Sequence, residues 1–456
     1  MFKISEIVKV TNGKLERGDP ERCISAVSTD TRSIKQGELF LAIRGNNFNG
    51  HDFLKEAIDR EAGAVVVEKM DPDMIKNDLA VIKVKDTLKA YGDIAAFNRL
   101  RFDIPTVAIT GSTGKTTTKE MASFMLDEDY NVLRNKGTEN NLVGVPKTLL
   151  NLNEFHEAIV CELGTNHFGE IRRLSDILSP NIGIITNISQ AHTEFFGDLK
   201  GVFKEKKSLL DSFSYGDIAI LNGDDAFMSR IKDKKYKIIK FGTKEGCDYR
   251  ATKMSFKNGY WEFLVNDIYP FKLGLLSKSN IYNALCAITL GFIFDLDYFT
   301  IQRRLADFKP PSMRMEVKDV NGVMIIDDTY NSNPMSCENA IMTLSEYRAP
   351  GKKIFVTADM LELGGRSPTL HRRLGKLVAQ SDIDILITMG ELSHHTYEAA
   401  SRHGMKKEMM HDCDSINSVV GLLKELAGEG DVILVKGSRA MRMEEVIKCF
   451  TTSYIR

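Results

Sequence analysis

The sequence predicts an α/β protein of three domains: a small amino-terminal α/β domain, a central parallel-sheet domain with a phosphate-binding loop and antiparallel hairpins, and a carboxyl-terminal Rossmann-like domain. Three observations carry this prediction. The 456 residues are enough for roughly three domains. From residue 104 onward, apolar runs of strand length alternate with amphipathic stretches, as sheets buried on both faces require. The run IPTVAITGSTGKTTTKEMASFML, Ile104 to Leu126, reads as strand, glycine-rich turn and helix in succession.

Residues 1–85 hold strand-length runs at Glu38–Ile43, Ala64–Glu68 and Ala80–Val84, with an amphipathic stretch around Phe53–Ala62. They form the first domain. Residues 86–103 have helical spacing and lead to Pro105, so they read as a connecting helix opening a central domain of residues 86–311. Strands are expected there at Thr106–Thr110, Ala158–Glu162, Asn181–Ile188, Asp217–Asn222 and Tyr236–Gly242. Residues 249–273 switch to period-two alternation with Asn-Gly and Asn-Asp turn signals, hence antiparallel hairpins appended to the sheet. After Lys309-Pro310-Pro311 the α/β alternation resumes at Val323–Asp328, Lys353–Asp359, Asp384–Gly390 and Asp431–Gly437, which makes residues 312–456 the third domain.

Lysine and arginine number 61 against 62 aspartates and glutamates. This balance offers no electrostatic case for nucleic acid or an anionic membrane, so any anion site is local. The cysteines, at 23, 161, 247, 286, 337, 413 and 449, form no C-x-x-C pair and suggest neither a disulfide framework nor a zinc site. The first residues lack an apolar signal core, and Ala284–Phe294 is too short to span a bilayer. A cytoplasmic protein without membrane insertion is expected, with a monomer as the default.

In GSTGKTT, Gly111 and Gly114 allow the tight turn that aims successive N–H groups and a helix start at an anion. Lys115 is placed to reach the outer phosphates of a nucleotide and the Thr116 hydroxyl to hold Mg²⁺. The spacing departs from the usual G-x-x-x-x-G-K-[ST] pattern, because Ile109 stands at the first glycine position. Open α/β sheets bind ligands outside the carboxyl ends of their strands. Glu162, closing AIVCE, and His192, following another strand, stand at such ends and would converge there with Thr116. A lone strand-end glutamate is ordinarily a solvated turn residue and a lone histidine structural. GVFKEKKSLL, residues 201–210, reads on charge pattern as a solvated basic helix face. In the third domain IIDDTYNSNP and KGSRAMRMEE gather Asp327, Asp328, Tyr330, Asn331, Asn333, Lys436 and Arg439 at strand ends; an Asx-rich turn and a helix cap are the alternative.

The ordered set GSTGKTT, NNLVGVPKTLL, ELGTNHFGEI, NISQAHTEFFG, GVFKEKKSLL, NIYNAL, DDTYNSNP, DMLELGGRS and VKGSRAMRMEEV resembles the Mur ligases over about the full length. The run STDTRSIKQGELFLAIRGNNFNGHDF is similar to the UDP-binding domain of two branches of that family. The D-N-P-R signature of the branch that adds the third peptide residue is absent, and MLELG and YNSNP favour the dipeptide-adding branch. Phe168, Ser279 and Thr31 depart from the commoner family residues.

The resemblance implies an ADP-forming amide ligase of peptidoglycan precursor synthesis. It would join D-alanyl-D-alanine to UDP-N-acetylmuramoyl-tripeptide through an acyl phosphate, using ATP and two Mg²⁺ ions. A sibling ligase of the folylpolyglutamate or cyanophycin type, or a nucleotide-gated regulatory protein that does not ligate, are the other readings. By the same resemblance Gly111, Ser112, Thr113, Gly114, Lys115, Thr116 and Thr117 would cradle the ATP phosphates, with Asn280, Asn283, Arg314, Asp328 and Asn331 as further nucleotide contacts. Lys115, Glu162, His192 and Lys206 would be catalytic. Thr116, Glu162, His192 and a CO₂-derived carbamate on Lys206 would bind metal, with Lys207 the alternative carbamate position. Thr31, Arg32, Asn49, Gly50, His51, Asn140, Asn141, Tyr330 and Asn333 would contact the peptide substrates.

Overall fold

A computed structural model describes residues 1–45, 48–71, 78–191 and 193–454. The chain packs into two compact units, Met1–Ala108 with Tyr130–Thr165 and Gly169–Ile182, and Ile109–Asp129 with Asn166–Phe168 and Gly183–Arg456. The α/β architecture read from the sequence is the one observed.

The first unit contains a sheet in the order Lys14–Arg17, Ala80–Lys83, Ala64–Val67, Leu39–Leu41, Val27–Ser28. Neighbours run parallel except at Lys14–Arg17, which is antiparallel to Ala80–Lys83. Successive strand residues face opposite ways. Leu39, Leu41, Ala64, Val66, Ala80 and Ile82 therefore join one core with Ile4 and Ile7, while Phe40, Val65, Val67 and Val81 join another with Leu54, Ala57 and Ile58. Burial on both faces is why these strands read as unbroken apolar runs. The helix Thr87–Arg99 is started by Asp86, whose side chain accepts from Lys89 N, and its Ala90, Tyr91 and Ile94 complete the first of those cores. In the same unit Ala158–Glu162 pairs in parallel with Val132–Arg134.

In the second unit the strands lie in the order Tyr269–Leu273, Tyr260–Val265, Tyr249–Lys257, Lys237–Gly242, Ile218–Asn222, Ile182–Ile185. The first three are antiparallel hairpin strands, and Lys237–Gly242 pairs in parallel with both Tyr249–Lys257 and Ile218–Asn222. Both hairpin turns have two residues at positive φ, Asn258 (51°) with Gly259 (82°) and Asn266 (54°) with Asp267 (62°). That is the turn geometry matching strand twist, and it explains the Asn-Gly and Asn-Asp signals. Helix Asn280–Ile293 is buried from Ile281 to Leu290 apart from Tyr282, so the apolar stretch near 284–294 is a core helix. Among the described residues no helix is long and apolar enough to cross a membrane.

A further sheet of the second unit runs Glu316–Val320, Val323–Asp328, Val432–Lys436, Lys353–Ala358, Ile385–Met389, Met410–Cys413, all parallel except the first pair. Ile326, Phe355, Leu386 and Leu434 enter the core on one face; Ile325, Val356, Ile387 and Val435 enter the core on the other. The last strand inserts between the first two parallel ones. Lys436 therefore lies in register with both Asp328 and Thr357.

A candidate nucleotide and ligation site

The buried strand Thr106–Thr110 leads through Gly111–Gly114 into helix Lys115–Leu126. Gly111 (φ 150°) and Gly114 (φ 79°) both occupy backbone that favours glycine. A Cβ on Gly111 would lie 1.9 Å from Thr186 Oγ1, and one on Gly114 would lie 2.5 Å from Asn283 Oδ1. Both glycines are thus required by close neighbours as well as by the turn. The first N–H groups of a helix have no partner inside it, and with the helix dipole they favour an anion. Lys115 Nζ donates to Gly111 O at 2.9 Å, so the ammonium rests on the loop's own carbonyl oxygen.

The loop is stitched to the segment after strand Ile182–Ile185. Thr113 N donates to Asn187 Oδ1 at 3.0 Å, and Asn187 Nδ2 donates to Thr113 O at 3.1 Å. Thr186 Oγ1 donates to the same carbonyl at 2.6 Å. Ser112 Oγ accepts from Ser189 N at 2.9 Å and donates to Ser189 O at 3.2 Å. Asp225 Oδ2 accepts from Ile188 N and Asn222 Nδ2 donates to Thr186 O, so a neighbouring strand end braces the same segment. Ser189 Oγ is buried and has no hydrogen-bond partner among the described residues.

Sequence reasoning named the loop and missed its brace. Asn187 stood inside the quoted NISQAH segment at a strand end, which was the available signal. Thr186 carried none, because an apolar run continues into it.

Asn283 Oδ1 accepts from Thr118 Oγ1 at 3.1 Å, and Asn283 Nδ2 donates to Asn280 Oδ1 at 2.9 Å. The two expected asparagines are therefore joined to the phosphate-loop helix. Arg314 Nη2 donates to the Thr116 hydroxyl at 2.8 Å while its guanidinium lies 4.0 Å from the Tyr330 ring centroid. Lys436, almost fully buried, reaches Asp328 at 2.5 Å and Asn331 O at 3.0 Å, and so shapes the turn that carries Tyr330. Asn333 Oδ1 accepts from Ser336 N at 2.9 Å, and Asn333 N donates to Ser336 Oγ, a reciprocal cap on helix Pro334–Glu346. Tyr330 is half-buried and Asn331 exposed.

In the first unit Glu162 is only 1% exposed, unlike an ordinary turn glutamate. Its Oε1 accepts from Asn140 Nδ2 at 2.7 Å, and its backbone is held by both polar atoms of the Asn135 side chain. Asn141 Oδ1 accepts from Val143 N and Gly144 N and so caps helix Gly144–Leu149. Thr31 is buried. Arg32 forks onto Asp30 through Nε and Nη2, and those hydrogen bonds hold the Asp30 carboxyl down to about 2. His51 Nε2 accepts from Glu68 N at 3.0 Å, which places its proton on Nδ1, 3.0 Å from Asn49 Oδ1. Burial lowers the His51 pKa. Gly50 has Ile43 N only 2.7 Å from where a Cβ would stand.

Family models match nearly the whole chain. The Mur ligase family catalytic domain matches residues 23–99, the Mur ligase middle domain residues 109–291, and the Mur ligase glutamate ligase domain residues 313–439. The UDP-N-acetylmuramoyl-tripeptide–D-alanyl-D-alanine ligase of Bacillus subtilis (strain 168) is 32% identical over 448 residues, covering 98% of this chain and 97% of that protein. The Escherichia coli (strain K12) ligase of the same name is 34% identical over 458 residues, with 98% and 97% covered. The chain belongs to the Mur ligase family.

Solved structures agree. MurF from Acinetobacter baumannii superposes with a TM-score of 0.90 at 27% identity, covering 99% of both chains. MurF ligase from Thermotoga maritima in complex with ADP gives 0.84 at 27% identity, covering 94% of this chain and 97% of that one.

Two further motif segments of this Mur ligase have clear roles in the fold. Within DMLELGGRS, Met360 N donates to His371 Nε2 at 3.0 Å, Leu361 N donates to Ser438 Oγ, and Asp359 Oδ1 accepts from Ser393 N. The segment's other end meets the helix Thr193–Phe196, where Glu194 N donates to Glu362 O and Thr193 Oγ1 donates to Leu363 O. In GVFKEKKSLL, Lys206 is 2% exposed, whereas Lys204 is exposed and Lys207 half-buried. That helix face is not the solvated one its charges suggest. His192 lies outside the described residues.

Proposed function

We propose that this Mur ligase joins D-alanyl-D-alanine to UDP-N-acetylmuramoyl-tripeptide at the expense of ATP, giving UDP-N-acetylmuramoyl-pentapeptide, ADP and phosphate for peptidoglycan synthesis. The observation that carries this reading is likeness over 98% of the chain to ligases whose names state that reaction. The braced phosphate loop supports it. The ATP γ-phosphoryl group moves to a carboxylate oxygen of the tripeptide; the P–O bond to ADP breaks as the P–O bond of the acyl phosphate forms. The dipeptide amine then attacks the acyl carbon, a C–N bond forms, the nitrogen loses a proton, and phosphate leaves with the C–O bond.

Such transfer depends on positioning and charge neutralisation. Residues Gly111 to Thr117 hold the phosphates, and Lys115 leaves the Gly111 carbonyl to meet the γ-phosphate. Asn280 and Asn283 lie towards the nucleoside, and Arg314 with the Asp328–Asn331 turn contacts the nucleotide from the third domain. Thr31, Arg32, Asn49, Gly50, His51, Asn140 and Asn141 are assigned to the UDP-peptide, and Tyr330 and Asn333 to the peptide end. The domains follow as 1–85 for UDP-substrate binding, 86–311 for ATP binding and 312–456 for ligation.

Among the described residues no group of three or more His, Cys, Asp or Glu side chains is placed to hold a metal. Hard oxygen donors suit Mg²⁺, which is commonly held by one or two carboxylates with substrate phosphates and water. The buried Thr116 hydroxyl and Glu162 carboxylate fit that chemistry, with His192 and a Lys206 carbamate as the further donors. Magnesium held by such donors would supply charge neutralisation at the phosphates. Lys206 is preferred over Lys207 because it is the more deeply buried of the two; addition of its nitrogen to CO₂ would form a C–N bond and release a proton, leaving an anion able to hold a metal. A cytoplasmic monomer is the accompanying reading.

The test is phosphate release from ATP with UDP-N-acetylmuramoyl-tripeptide, with and without D-alanyl-D-alanine, together with product mass. Release requiring both substrates and a pentapeptide product establishes the ligase. Nucleotide binding without release under any combination overturns it.

A further inference from the structure

We infer that Asn187 and Thr186 are positioning residues for the phosphate loop, acting through Thr113. The inference rests on the reading of Gly111–Thr117 as the ATP site. Asn187 presents its side-chain amide to Thr113 so that Oδ1 takes the backbone N–H and Nδ2 meets the backbone carbonyl, at 3.0 and 3.1 Å. The Thr113 hydroxyl also contacts both amide atoms, at 3.1 Å to Oδ1 and 2.8 Å to Nδ2. The Asn187 main-chain carbonyl accepts from Ser112 N at 3.0 Å, so one residue engages three consecutive peptide units of the loop.

Thr186 completes the hold from the other side. Its Oγ1 donates to Thr113 O at 2.6 Å and occupies the space a side chain at Gly111 would need, 1.9 Å from the ideal Cβ. The Thr113 carbonyl thus receives two donors, from Thr186 and Asn187, and its peptide plane is fixed from both. The Thr113 N–H is committed to Asn187 Oδ1, so Thr113 serves the Gly111–Thr117 phosphate cradle through the shape of the turn and not as an N–H donor. Phosphate recognition falls to the N–H groups that follow, at the start of the helix, whose directions depend on that fixed plane.

An Asn is well suited to the position. Only a carboxamide offers an acceptor and a donor spaced to meet an N–H and a C=O of one residue. Aspartate loses the donor, and leucine loses both. A pre-set loop binds its anion without an ordering cost at the moment of binding.

The experiment compares Asn187→Ala and the near-isosteric Thr186→Val with the parent enzyme, reading KM for ATP, KM for UDP-N-acetylmuramoyl-tripeptide, ADP binding by titration calorimetry, and the unfolding midpoint. Each lost hydrogen bond is worth up to about tenfold in affinity. Asn187→Ala is expected to raise KM for ATP and weaken ADP binding by about tenfold or more, with KM for the UDP-peptide unchanged; Thr186→Val gives a smaller rise of the same kind, and Asn187→Asp an intermediate one. ATP KM and ADP affinity within twofold of the parent in folded variants overturn the inference, as does an equal rise in both KM values. If Asn187→Ala fails to fold, Thr186→Val decides by the same two readouts. A parent that binds no ADP overturns the reading of the loop itself, which separates the two failures.

Discussion

Arg314 donates from Nη2 to the Thr116 hydroxyl at 2.8 Å, joining the segment that enters the last sheet to the helix of the phosphate loop. The same guanidinium covers the Tyr330 ring, and Lys436 holds the turn on which Tyr330 stands. Thr116 is the hydroxyl assigned to magnesium. Under the proposed assignment Arg314 already touches the hydroxyl that would hold the metal, and nucleotide binding would re-aim it from hydroxyl to phosphate.

Arg314→Ala is expected to lower kcat/KM for ATP by about 10²-fold, the scale seen when one preorganised donor to developing charge is removed. Arg314→Lys recovers only part, because lysine lacks the planar fork and stacks poorly on Tyr330. Steady-state kinetics with ATP varied and the UDP-peptide saturating checks this, and unchanged kcat/KM in Arg314→Ala contradicts it.

Glu162→Gln keeps the shape and the acceptor that Asn140 bonds, so the variant should fold like the parent. It removes the negative charge. The Mg²⁺ concentration giving half-maximal phosphate release is expected to rise by at least about tenfold. A magnesium titration with an unshifted midpoint would remove Glu162 from the metal set.

How much of this was legible in the sequence depended on chain separation. Gly111, Gly114, Lys115 and Thr116 are neighbours in sequence, and local backbone needs fixed both their spacing and their context of buried strand and helix. Asn187 reaches Thr113 across 74 residues, a pairing only the parallel sheet creates. The double-sided burial of Val65 and Val66 left an apolar run that any reading finds. The edge strands Lys14–Arg17 and Val132–Arg134 are short and charged, so they left no such run. Lys206 was misleading in a third way: four consecutive charged residues suggest a solvated face, yet the helix turns Glu205 and Lys206 inward while Lys204 stays exposed.

Lys206→Ala is expected to abolish phosphate release while ADP binding persists, and Lys207→Ala to keep most of the activity. If the buried amine carries a carbamate, the parent loses activity in CO₂-depleted buffer and regains it on adding bicarbonate. A parent indifferent to CO₂ depletion, with Lys206→Ala still inactive, would leave the lysine important and its carbamate wrong.

The last prediction concerns pH and the DMLELG segment. His371 is fully buried; Nε2 accepts from Met360 N at 3.0 Å and Nδ1 lies 2.8 Å from Ser367 O, so the neutral ring with its proton on Nδ1 satisfies both neighbours. Burial pushes the pKa below the ordinary 6.5. Between the folded value and 6.5 the unfolded chain binds the proton and the native ring does not, so stability rises with pH across that window. The stabilisation is complete above 6.5 and is lost as pH falls from there towards the folded value. The urea midpoint of the parent should therefore drop between pH 7.5 and pH 5.5. His371→Leu should unfold more easily at pH 7.5, by about 1–3 kcal/mol for an orphaned buried N–H, and should show a smaller drop on acidification. A parent and variant with the same pH dependence would assign the acid sensitivity to other groups, such as His51 and His411, whose pKa values burial also lowers.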